Sequence, residues 1–130
     1  MTNLKKVILD TNCYLRYLLN DIPRQANRVE EMFKKAEAGR VIIVVPQAII
    51  FELHYVLLKY YKFDKLMVVE KLGAIVKQAY SDVEDKGLML SSLAIYVDSN
   101  ISFIDSFLVA KSRSEKIDLF TFDKKLQVQK

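Results

Sequence analysis

Val41 to Val45 reads Val-Ile-Ile-Val-Val, five consecutive β-branched residues. Such residues are crowded in a helix and fit the pleated surface of a strand. Because no polar residue alternates with them, both faces of that strand must be covered, as in a parallel sheet flanked by helices. Pro46 follows at once, where the first turn of a helix would begin. A second strand of the same kind stands near the start of the chain. Val7-Ile8-Leu9 is apolar and branched, and it stops abruptly at Asp10-Thr11-Asn12. Asp10 therefore sits where a strand ends, and open α/β sheets bind ligands in the crevice outside the carboxyl ends of their strands. Asp and Asn are also common helix caps, so Asp10 or Asn12 could equally do no more than start the next helix.

The intervening segments read mostly as helices. Tyr14 to Leu19 is a short one, stopped by Asn20-Asp21-Ile22-Pro23. From Arg24 to Ala38, residues Ala26, Val29, Met32, Phe33 and Ala36 fall at helical spacing. Glu30/Lys34 and Glu31/Lys35 form i,i+4 pairs on the other side, and Gly39 is suited to the C-terminal cap. The span Gln47 to Tyr61 is apolar on nearly every side, which implies burial in the protein or in a subunit interface. Asp64 reads as the N-cap of a helix running to about Ala79, with Gly73 as a weak point within it. Ser81 to Lys86 reads as a polar loop, Gly87 to Leu90 as a short strand and Leu93 to Val97 as a short helix. Ile101 to Ser114 opens with Ser102-x-x-Asp105, a capping pattern, and continues as a helix. Asp118 to Phe122 reads as the last strand, followed by Asp123 and a basic tail. Strand and helix alternate without hairpin signals, which predicts an α/β fold, a three-layer α/β/α sandwich around a parallel sheet of four or five strands.

A chain of 130 residues with no internal repeat or linker is expected to form one domain over residues 1–130. Its net charge of +4 is compatible with a polyanionic partner such as nucleic acid, although the basic residues are spread along the chain. Cys13 is the only cysteine, which excludes an intrachain disulfide. No stretch approaches the ~18 apolar residues of a membrane span. Lys5 and Lys6 precede an apolar run, but Asp10 cuts it far short of the ~7 to 15 residues of a signal-peptide core, so a cytoplasmic protein is expected.

Four carboxylates stand out by context. Asp10 ends the first strand, Glu52 lies in the apolar helix, Asp105 is in the first turn of another helix, and Asp123 follows the last strand. Between Ala48 and Leu58 the non-apolar side chains are Glu52, His54 and the phenol of Tyr55, so Glu52 must be paired, metal-bound or at a rim. Asp105 gains from the helix dipole and Asp123 could cap a short final helix, which would account for either acid without chemistry. In a parallel sheet, however, the three aspartates would gather at one edge with Glu52 reaching in from its helix. Carboxylates so gathered repel one another unless a multivalent cation neutralises them. Oxygen donors without a Cys/His set select Mg²⁺ or Mn²⁺, and the chemistry implied is metal-assisted phosphodiester hydrolysis.

Leu-Asp-Thr-Asn at 9–12, Phe-Glu-Leu at 51–53, Phe-Ile-Asp-Ser-Phe-Leu-Val-Ala at 103–110 and Thr-Phe-Asp-Lys-Lys-Leu at 121–126 resemble, in order and spacing, the four acidic motifs of PIN-domain nucleases. The similarity spans essentially the whole chain and is nearest to the VapC-type toxins of toxin–antitoxin pairs. It implies a Mg²⁺- or Mn²⁺-dependent endoribonuclease with Asp10, Glu52, Asp105 and Asp123 as its catalytic, metal-holding acids, Asp123 being the most variable in its contribution. Thr11, Asn12 and Thr121 would orient carboxylates or water. It further implies an RNA substrate, a homodimer and a small antitoxin whose C-terminal segment wraps the toxin. Many members continue into a further strand beyond the fourth motif, whereas seven residues follow Asp123 here, which puts the fifth strand in question.

Other residues invite plainer readings. His54 falls about 200° around the helix from Glu52 and so on a different face. Cys13 suits a small core position, and Tyr55, Tyr60 and Tyr61 suit a core or dimer surface. Arg16, Lys111, Lys124 and Lys125 could touch phosphates but are equally explained as solvated surface. A haloacid-dehalogenase-like phosphatase would want a second aspartate two positions after Asp10, where Asn12 stands. A non-catalytic PIN-like module that binds RNA or protein is the alternative from another class.

Overall fold

Val41–Val45 forms β2, the middle strand of a three-stranded parallel sheet in a computed structural model that describes residues 4–129. Its neighbours are β1 (Lys5–Val7) and β3 (Ser81–Val83), in the order β1-β2-β3. Val7 pairs with Ile43, and Ile43 in turn with Ser81. Ile43 and Val45 are fully buried while Ile42 and Val44 are half-covered, so the uniformly apolar run serves two covered faces.

Helices fill the intervals. α1 (Thr11–Leu19) ends at Asn20, which adopts the left-handed conformation, and Pro23 opens α2 (Pro23–Glu37). The α2 stripe of Ala26, Val29, Phe33 and Ala36 is buried as its spacing predicts, and Gly39, at φ +77°, makes the turn into β2. α3 (Gln47–Tyr55) runs on through a π-helical turn, Val56–Tyr60. Ile50, Leu53 and Leu57 are fully buried, whereas Tyr55 and Tyr60 face solvent. Asp64 caps α4 (Lys65–Val76), accepting a hydrogen bond from the Met67 amide at 2.9 Å. α5 (Lys86–Asp98) and α6 (Phe103–Glu115) pack against each other as a helical pair, and α7 (Lys124–Gln127) closes the described chain.

Three segments differ from the sequence expectation. Ser81–Val83 is a strand rather than part of a loop, because its backbone completes the ladder on β2 although Val83 is its only branched apolar residue. Gly87 to Leu90 is the first turn of α5, not a strand. Its residues belong to a longer helical stripe in which Met89, Leu93 and Tyr96 recur at i, i+4 and i+7 and are all buried. Asp118 to Phe122 does not pair with the sheet, so the described residues form three strands, not four or five. The reason is a second apolar cluster. Leu119 and Leu126 pack in one cluster with Ile95 of α5, Val109 of α6 and Ile101 between these helices, not on the sheet. Phe120 and Phe122 are left facing solvent, and β1 remains an edge strand.

Candidate functional site

The peptide beyond β1 continues through Ile8 and Leu9 to Asp10, the N-cap of α1. Its Oδ1 accepts a hydrogen bond from the Cys13 amide at 3.0 Å, satisfying one of the free donors of the first helical turn. The cap reading of Asp10 is therefore realised, and it occupies one carboxylate oxygen of the two. Thr11 behind it is buried, while Asp10 and Asn12 are exposed.

α3 brings the second acid. Leu53 and Ile50 anchor that helix in the core, and Glu52, on a different side of it, is exposed. The carboxylate is thus at a rim, where its charge stays hydrated and needs no buried partner. Asp10, Thr11, Asn12, Ala48, Ile49 and Glu52 line a single open pocket of about 260 Å³. Asp10 and Glu52, from two separate elements, thereby border one space beyond the carboxyl end of β1.

The other two acids do not line this pocket. Asp105 is half-buried in the first turn of α6, its amide donating to Ser102 Oγ at 3.1 Å. Phe103 and Phe107 both pack on Phe51 of α3, with centroids 5.5 and 5.1 Å away. Asp105 lies two residues from each, about 200° around the helix at α-helical spacing. Asp123 caps α7 through hydrogen bonds from the Lys125 and Leu126 amides at 2.8 and 3.4 Å. Its own amide donates to Thr121 Oγ1 at 3.0 Å, which makes Thr121 part of the same local turn. Among the described residues no three His, Cys, Asp or Glu side chains stand close enough together to hold one ion.

Asp10 and Asn12 also border a larger groove of about 470 Å³ between α1 and α2, which Arg16, Gln25 and Arg28 line as well. Arg16 donates to the Tyr61 hydroxyl at 3.1 Å and pairs with Asp21 at 3.0 Å. Of the four cations singled out from the sequence, it alone lines a pocket with Asp10. Lys111 is engaged by Glu115 at 2.6 Å, and Lys124 and Lys125 are exposed on α7. Arg28 was not visible as a site residue in the sequence, since only the packing of α2 on α1 brings it to Asp10. His54 serves packing: its ring sits against both Tyr96 and Phe103, 5.1 and 4.9 Å away, in a cluster of three mutually touching rings. Cys13 is half-buried beside Asp10, and burial together with the Asp10 carboxylate raises its thiol above the ordinary range.

The donor set of the shared pocket is all hard oxygen. Mg²⁺ characteristically takes one or two carboxylates and completes its shell with water and substrate phosphate, so Asp10 and Glu52 fit such an ion. No helix among the described residues is long and apolar enough to cross a membrane. The PIN-domain family model matches residues 7–129. No curated protein and no solved structure matches the chain.

Proposed function

The chain belongs to the PIN-domain family, whose members are generally nucleases, and we propose that it is a Mg²⁺- or Mn²⁺-dependent endoribonuclease acting at the Asp10–Glu52 pocket. The observation that carries this reading is that Asp10 and Glu52, from different elements, line one pocket beyond the end of a parallel strand. In this reading Asp10 and Glu52 would hold the ion. When bound, the ion would polarise a phosphoryl oxygen and make water acidic enough to attack at neutral pH. Asn12 and Thr11 border the same space and would orient the phosphate or the attacking water. Hydrolysis would form a P–O bond to the water oxygen and break the bond to the leaving ribose oxygen, with the proton lost by the water ending on that leaving oxygen.

The assignment of Asp105 and Asp123 to this reaction rests on motif resemblance, as does the finer reading of the protein as the toxin of a toxin–antitoxin pair, homodimeric and held inactive by a small antitoxin. A second reading, a non-catalytic RNA- or protein-binding module, is favoured by one observation: Asp105 and Asp123 stand outside the pocket.

One assay separates the two. Purified protein is incubated with a mixed RNA panel in Mg²⁺, Mn²⁺ or EDTA, beside Glu52→Gln, Asp105→Asn and Asp123→Asn prepared identically. The nuclease reading predicts metal-dependent cleavage that falls by about a hundredfold or more in Glu52→Gln, at or beyond the upper end of losses seen when supporting residues of metal sites are removed. Cleavage equal in wild type and all variants, or absent throughout, would favour the binding module. A neighbouring reading frame encoding a small protein with a DNA-binding N-terminus would support the toxin assignment.

A further inference from the structure

The groove between α1 and α2 adjoins the acidic pocket, since Asp10 and Asn12 line both. Asp10, which it shares with that pocket, lines it together with Arg16, Arg28, Gln25 and the apolar Val29 and Met32. Arg16 is fixed by Asp21 and the Tyr61 hydroxyl, yet its Nε is buried and has no hydrogen-bond partner among the described residues. Arg28 is exposed and makes no ion pair among the described residues. The fold thus spends one arginine on holding α1 in place and leaves a second one free at the same groove.

We infer that this groove holds the single-stranded RNA on one side of the scissile phosphate, with Arg28 and Gln25 contacting backbone phosphate and Val29 and Met32 receiving a base. The inference rests on the ribonuclease reading and adds to it the path of the substrate. Single-stranded RNA presents an anion at each nucleotide and an apolar base face beside it, which matches a groove lined by both guanidinium groups and apolar side chains. An acidic peptide would match the arginines but not the carboxylates of the adjoining pocket. A strand whose next phosphate meets a cation held by Asp10 and Glu52 matches both.

The test measures binding separately from cleavage. A short fluorescein-labelled single-stranded RNA of mixed sequence is titrated in EDTA with wild type, Arg28→Gln, Gln25→Glu and Lys34→Gln, by fluorescence anisotropy over a range of salt. Lys34 lies exposed on α2, outside the groove, so its variant removes the same charge from a different place. Arg28→Gln is expected to weaken binding by about tenfold, the loss of one charge-assisted hydrogen bond. It should also lower the slope of log K against log salt by about 0.7, as for one lost phosphate contact on a single strand. Gln25→Glu weakens binding in the same direction, Lys34→Gln leaves it near wild type, and all variants melt at the wild-type temperature. Equal loss in Arg28→Gln and Lys34→Gln would overturn the inference, since only overall charge would then matter. So would polyglutamate of equal charge displacing the RNA from wild type as well as unlabelled RNA does, which would make the groove a peptide site. If Arg28→Gln binds as wild type while metal-dependent cleavage persists, the substrate path fails and the nuclease reading stands. If wild type binds no RNA and cleaves none, both fail.

Discussion

His54 Nε2 and the Tyr96 hydroxyl lie 2.8 Å apart, joining α3 to α5 across 42 residues of sequence. Burial, with a smaller contribution from the Lys59 charge, lowers the His54 pKa below its ordinary value of 6.5. The folded state then resists a proton that the unfolded chain accepts. The stability contributed by the neutral ring is complete above about pH 6.5 and is lost as pH falls through that value toward the lower folded pKa. Chemical denaturation at a series of pH values should show wild type losing stability below about pH 6.5 more steeply than His54→Gln. Parallel profiles for the two proteins would remove His54 as the source.

Tyr14 is fully buried, 6.2 Å from Phe33 between ring centroids, and its hydroxyl has no hydrogen-bond partner among the described residues. Burial pushes its pKa well above the ordinary tyrosine range. An unsatisfied buried hydroxyl costs about 1–3 kcal/mol, so Tyr14→Phe should leave stability unchanged or raise it by about 1 kcal/mol in urea unfolding. A loss of more than about 1 kcal/mol would show that the hydroxyl is bonded in the folded protein.

The Cys13 thiol, raised by burial and by Asp10, should react slowly with iodoacetamide near pH 8, because the thiolate is the reactive form. Asp10→Asn removes the negative charge while keeping a side chain that can accept from the Cys13 amide. The rate should rise about severalfold in that variant. An unchanged rate would mean that burial alone controls the thiol.

Much of this architecture was legible where a residue's role is local. Val41–Val45 needs no partner to read as a covered strand, and Asp64 and Ser102 cap the helices that their spacing announces. The α2 stripe was equally plain. Ser81–Val83 was not, because its identity as a strand comes from the β2 ladder and not from its own side chains. Asp118–Phe122 carries a strand-like pattern, but Leu119 is drawn to the cluster with Val109 and Ile101. The site divides in the same way. Asp10 and Glu52 sit on elements fixed by strong local signals, and they share a pocket. The placement of Asp105 depends on which side of α6 packs on Phe51, and that of Asp123 on the path taken after Lys116; both are decided by long-range packing. Arg28 could not be singled out at all, since it reaches Asp10 only through the packing of α2 on α1.

The most direct measurement is Mn²⁺ binding, followed by the electron paramagnetic resonance of the free ion, in wild type, Asp10→Asn and Glu52→Gln. Asp10→Asn preserves an N-cap, since Asn caps about as well as Asp, and Glu52 is exposed, so each variant should stay within about 0.5 kcal/mol of wild-type stability in metal-free buffer. With folding held constant, the two carboxylates acting as one ion-holding pocket predict saturable binding in wild type and at least about tenfold weaker binding in each variant. Equal Mn²⁺ affinity in all three proteins, or no saturable binding in any, would contradict the assignment of the Asp10–Glu52 pocket as a metal centre.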